Sequence, residues 1–106
     1  MTESWVFAID ESSLQDNSLK GIKLEGNLIL LVKIDREIYA LSNKCAHMEC
    51  LLSKGSLEGY TVKCPCHDWK FDVRTGEFVT ANEIKIPTYQ TKISEGSIYV
   101  NLEEGR

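Results

Sequence analysis

The sequence predicts an all-β fold, a small antiparallel β-sandwich or barrel interrupted by one irregular insertion. Three observations carry this prediction. Apolar residues alternate with polar ones or form short runs bounded by turn residues, and no window sustains a 3.6-residue repeat. The runs follow one another closely, as in a meander of neighbouring antiparallel strands. Alternation fails once, over residues 42–70, where cysteines, histidines and two glycines gather.

Each element has its own local reason. Trp5-Val6-Phe7-Ala8-Ile9 opens the domain as a strand, and the polar stretch Asp10 to Asn17 suits a short helical turn. Ile22-Lys23-Leu24 alternates, and Glu25-Gly26-Asn27 turns the chain into Leu28 to Ile34. The apolar run Leu28-Ile29-Leu30-Leu31-Val32 suits a buried strand and falls far short of the about 18 residues of a membrane span. Asp35-Arg36 turns the chain again into Glu37-Ile38-Tyr39-Ala40-Leu41. Inside the irregular segment, Tyr60-Thr61-Val62 reads as a strand; Phe71-Asp72-Val73 and Glu77-Phe78-Val79 then flank a hairpin-like turn at Arg74-Thr75-Gly76. Ile84-Lys85-Ile86 stops at Pro87, and Tyr89 to Ile93 pairs with Ile98 to Leu102 across Ser94-Glu95-Gly96-Ser97.

The 106 residues, 42% of them hydrophobic, suffice for one domain over 1–106 with a real core and no linker or repeat. Met1-Thr2-Glu3-Ser4 offers no positive n-region and leads into no apolar h-region, so the expectation is a soluble, cytoplasmic protein without a membrane span. The net charge is −4, with Lys and Arg scattered among Asp and Glu. Nucleic acid is excluded as a partner, because phosphate binding needs clustered positive charge. The acidic balance suits steering toward a basic patch on a redox partner, and equally suits a solvated surface.

Chemistry concentrates in Cys45-Ala46-His47 and Cys64-Pro65-Cys66-His67, which hold both histidines and three of the four cysteines. Each block offers a thiolate and an imidazole. Together they form the ligand set of a two-iron cluster with cysteines on one iron and histidines on the other. Formal charges favour the mixture: two ferric ions and two sulfides leave +2, which two thiolates cancel, whereas four would leave a negative site that resists an added electron. The second nitrogen of each imidazole can titrate, coupling electron gain to proton uptake. Such a chain carries single electrons and is not itself an enzyme. The competing reading is a structural zinc in a redox-silent interaction module, against which stands the unusual order Cys-x-His, Cys-x-x-His.

The spacing and its neighbours resemble a Rieske-type [2Fe–2S] ferredoxin. The resemblance extends through Gly55, Tyr60 to Lys63, His67-Asp68-Trp69-Lys70-Phe71-Asp72, Thr75-Gly76 and the C-terminal Ile86-Pro87 and Gly96-Ser97-Ile98-Tyr99-Val100, so it covers essentially the whole chain. It implies a cluster-binding subdomain at about 43–72 inserted in the β scaffold. It also implies Cys45 and Cys64 on an inner iron, and His47 and His67 on an outer iron near the surface. Pro87 would then stiffen a third loop near the cluster.

The spare cysteines, Cys50 and Cys66, are similar to those of the family members typified by cytochrome bc complexes, in which a disulfide staples the two cluster loops. A reducing cytosol favours the rival state, two buried free thiols. Those high-potential members carry Gly-Ser after the last histidine and a Tyr two residues beyond the Ser. Here Asp68-Trp69 and Phe71 stand instead, so neither hydroxyl is available to the cluster sulfurs. The pattern is closer to soluble ferredoxins and oxygenase Rieske domains, and it implies a potential in the lower part of the roughly −150 to +300 mV Rieske range. Trp69 equally suits core packing, and Met48, Leu51 and Leu52 suit either a water shield or a small docking tip.

Oxygenase activity needs a second iron on two histidines and a carboxylate, and both histidines are already assigned. The resemblance therefore implies a carrier between a reductase and a terminal oxidoreductase. The alternative is the small Rieske subunit of a nitrite reductase-like complex.

Overall fold

The computed structural model describes residues 5–43, 51–65, 69–79 and 81–102, with the backbone alone at 81–83. The first half of the chain is a ladder of hairpins. Strands β1 (Trp5–Asp10), β2 (Ser18–Leu24), β3 (Asn27–Ile34) and β4 (Glu37–Ser42) are followed, beyond the insertion, by β10 (Thr88–Ser94) and β11 (Ser97–Asn101). They form one antiparallel six-stranded sheet in the order β1-β11-β10-β4-β3-β2. The expected helical turn is a 3₁₀ turn at Glu11–Ser13.

Two-residue turns set the register. Glu25 and Gly26 (φ 49° and 86°), Asp35 and Arg36 (52° and 70°), and Glu95 and Gly96 (52° and 78°) all take positive φ. That backbone matches the twist of the strands they join, and the flanking residues Leu24 and Asn27 pair directly. The edge strands β1 and β2 approach each other, so the sheet curls into a half-barrel. Leu14, Leu24, Ile29, Leu31, Ala40, Ile98 and Val100 fill its hollow.

The insertion carries a second antiparallel sheet in the order β5-β6-β7-β8-β9: Ser56–Glu58, Thr61–Lys63, Lys70–Asp72, Glu77–Phe78 and Ala81–Lys85. Strand β5 has too short a pattern to be read from sequence; its register against β6, Ser56 to Lys63 and Glu58 to Thr61, makes it a strand. A second core lies between the sheets, built from Leu30, Val32 and Ile34 of β3, Leu41 of β4, and Leu52, Val62, Cys64, Phe71, Val73 and Ile86. Strand β3 thus serves both cores, odd residues Ile29 and Leu31 facing the half-barrel and even residues Leu30 and Val32 facing the insertion. Burial on both faces explains why this strand is a continuous apolar run rather than an alternating one. No helix among the described residues is long and apolar enough to cross a membrane.

Candidate metal centre

Cys64 follows β6 directly, one residue beyond the paired Lys63 and Lys70. Its side chain points the same way as Val62 into the second core and is 1% exposed. Its backbone N–H donates to the Trp69 carbonyl at 2.8 Å, which ties the end of β6 to the start of β7 across residues 65–68. Trp69 lies over Phe78, ring centroids 4.4 Å apart and planes 10° from parallel, and the pair packs against the second core. Trp69 is therefore a packing residue that anchors the far end of this motif.

The segment bearing Cys45 and His47 leaves β4 at Asn43 and returns at Leu51 into a 3₁₀ turn, Leu52–Lys54. Its two ends are tied. The Leu52 N–H donates to the Asn43 carbonyl at 2.9 Å, and the Ser53 N–H donates to Asn43 Oδ1 at 2.8 Å. Asn43 Nδ2 donates to Ser53 Oγ at 3.0 Å, and the Asn43 N–H donates to the Leu28 carbonyl of β3 at 3.0 Å. Leu52 is fully buried in the same core as Cys64, so it is not part of an exposed docking tip.

Gly55 brings the two motif stems together. A Cβ there would lie 1.8 Å from the Lys63 carbonyl oxygen and 3.2 Å from Pro65 Cδ. Only a glycine lets the returning end of the first segment lie against the start of the second. An open cavity marks the junction, lined by Lys54, Gly55, Ser56, Lys63, Cys64 and Pro65. Cys64 is among the residues that line this gap, and a buried, polarisable thiol suits a soft, sulfide-bearing metal group.

Of the sequence-predicted ligands, the structure describes Cys64. Cys45, His47 and His67, and the spare Cys50 and Cys66, lie outside the described residues, as does Met48. Among the described residues no three His, Cys, Asp or Glu side chains are gathered.

A polar strip spans the two sheets beside this region. Arg74 pairs with Asp72 through Nε at 3.1 Å and Nη2 at 3.0 Å, and its guanidinium lies 4.3 Å from the Tyr60 ring centroid. Tyr60 meets Tyr39 of β4 edge to face at 6.3 Å. The Arg74 hydrogen bonds hold the Asp72 carboxyl below its ordinary value, against the opposing effect of burial. Burial raises the Tyr39 phenol, assisted by its hydrogen bond to Glu37. Sequence reading missed this strip and the Asn43–Ser53 contacts; its one available signal was polar residues at the borders of the irregular segment.

The family model of the Rieske [2Fe-2S] domain matches residues 4–90. The ferredoxin component of the naphthalene 1,2-dioxygenase system of Pseudomonas putida is 35% identical over 103 residues, spanning 96% of this chain and 99% of that one. Among solved structures, the ferredoxin of carbazole 1,9a-dioxygenase from Nocardioides aromaticivorans IC177 superposes with a TM-score of 0.85 at 25% identity, covering 92% of this chain and 97% of that one. A Mycobacterium tuberculosis protein described as an NADH-dependent nitrite reductase small subunit shares the fold, with a TM-score of 0.85 at 20% identity and coverage of 94% and 96%. The zinc reading yields to these matches. With a buried thiol at the junction of two tied motif stems and a domain match over most of its length, the chain belongs to the Rieske [2Fe–2S] family and is an electron carrier with one such cluster.

Proposed function

We propose that this protein carries single electrons from a reductase to a terminal oxygenase of the kind served by the dioxygenase ferredoxins it is similar to. One domain over 1–106 would do this, with its cluster-binding part at about 43–72, in the cytoplasm. The proposed ligands are Cys45 and Cys64 on one iron and His47 and His67 on the other. The observation that carries the reading is the closeness of the two motif stems at Gly55, with Cys64 buried where they meet. The chemistry a bound cluster would supply is the uptake and return of one electron. The chain's own part is to hold the donors, keep the Cys64 side out of water and confine access to the end bearing both motifs.

The reading is tested by replacing His47 or His67 with Cys or Ala and measuring iron, acid-labile sulfide and the spectrum of the reduced protein. Loss or conversion of the mixed-ligand signal is expected, and an unchanged signal contradicts the ligand set. Purification as a monomer that cycles between reduced and oxidised forms supports the freely diffusing carrier; obligate co-purification with a reductase subunit supports the nitrite reductase-like alternative. The Cys50–Cys66 disulfide is proposed on the resemblance alone. Thiol titration of denatured, unreduced apoprotein decides it: the bond leaves two reactive sulfhydryls, and titration of all four cysteines excludes it.

A further inference from the structure

Asn43 is among the few polar side chains in the interior, 3% exposed at the point where the first metal-binding segment leaves β4. It spends both amide atoms on Ser53, at the point where that segment returns, and both backbone groups on Leu28 and Leu52. Strand β2 is shaped around this pair. A Cβ at Gly21 would lie 2.6 Å from Ser53 Oγ, 2.7 Å from Asn43 Nδ2 and 3.0 Å from Ser53 Cβ. Gly21 sits mid-strand, opposite Leu30, where glycine is otherwise unfavourable. Close approach of the polar pair accounts for it.

We propose that Gly21, Asn43 and Ser53 form a clasp that sets the separation of the two ends of segment 44–51 and thereby positions the metal donors on it. These are positioning residues. The inference rests on the ligand assignment above, in which that segment supplies Cys45 and His47. The physical case is one of direction. Buried apolar contacts hold two chain ends near each other, whereas three directed hydrogen bonds between Asn43 and Leu52–Ser53, with a fourth from Asn43 to Leu28 of β3, fix their relative orientation. An electron carrier gains from donors that do not shift when the charge of the site changes.

The test compares the cluster-loaded, unsubstituted protein with Asn43→Ala, Ser53→Ala, the double variant and Gly21→Ala. Three quantities are read: the rate of iron loss to a chelator, the linewidth of the reduced-state paramagnetic signal and the thermal midpoint. Either single substitution is expected to speed iron loss about tenfold, since each leaves a buried or partly buried polar partner without its hydrogen bond. It should also broaden the signal. The double variant should be little worse than the singles, because the pair acts as one unit. Gly21→Ala, which keeps both partners and pushes on them, should act in the same direction. Ser53→Ala removes a single oxygen and carries the test should Asn43→Ala fail to fold. Lower midpoints with unchanged iron loss and linewidth would make the pair merely structural and overturn the clasp. Absence of a mixed-ligand signal from the unsubstituted protein would overturn the ligand assignment, and the clasp with it.

Discussion

At the scale of single residues, the site is governed by what cannot be larger. Gly55 has no side chain where any Cβ would enter the Lys63 carbonyl, and Gly76 (φ 78°) has none where a Cβ would stand 2.3 Å from the Ile86 carbonyl. Gly55→Ala is expected to separate the two motif stems and to give a protein that retains strand structure by circular dichroism but takes up little iron; normal iron content would contradict the role given to Gly55. Asp72 supplies a pH signature. Its folded-state pKa lies below the ordinary 3.8 because Arg74 hydrogen-bonds the carboxylate, so the folded state binds fewer protons than the unfolded chain across that interval. The resulting stability is present above 3.8 and is lost as acid protonates the folded carboxyl. Asp72→Asn should therefore lower the thermal midpoint at neutral pH and match the unsubstituted protein in strong acid. The effect is small, because the pair is partly exposed and screened by solvent.

At the scale of elements, β3 decides the architecture. Its neighbouring residues Leu30 and Leu31 are both fully buried, in different cores. Leu30→Ala and Leu31→Ala should each cost about 2–5 kcal/mol in denaturant unfolding. A one-sided sheet would tolerate one of the two, so near-neutrality of either would contradict the two-core arrangement. The hairpins were legible in sequence because turn chemistry and alternation agree there: Glu25-Gly26, Asp35-Arg36 and Glu95-Gly96 each join two patterned runs. Strand β2 starts at Ser18 rather than Ile22 because its early residues, Ser18 to Gly21, are ordered by pairing with Leu30 to Lys33, which leaves no local mark. Strand β5 was hidden for the same reason. Cys64 stood out as a candidate ligand by residue type and spacing, whereas Asn43 and Ser53 did not, because their roles depend on contacts across ten residues of chain and on a glycine in another strand.

At the scale of the whole molecule, the six-stranded sheet forms the half-barrel, and the five-stranded sheet carries Cys64 at the end of β6. The two are joined by the core around Phe71 and by the Tyr39–Tyr60–Arg74–Asp72 strip. The Asp68-Trp69 and Phe71 positions, lacking the hydroxyls of high-potential relatives, lead to an expected potential in the lower part of the roughly −150 to +300 mV range. Protein-film voltammetry checks this, and a value near the top would contradict it. Mixed ligation of a single two-iron cluster is open to electron paramagnetic resonance of the dithionite-reduced protein. The expected signal is distinct from that of all-cysteine clusters and is abolished by His47→Ala. A signal of the all-cysteine type, or one that survives His47→Ala unchanged, would contradict it.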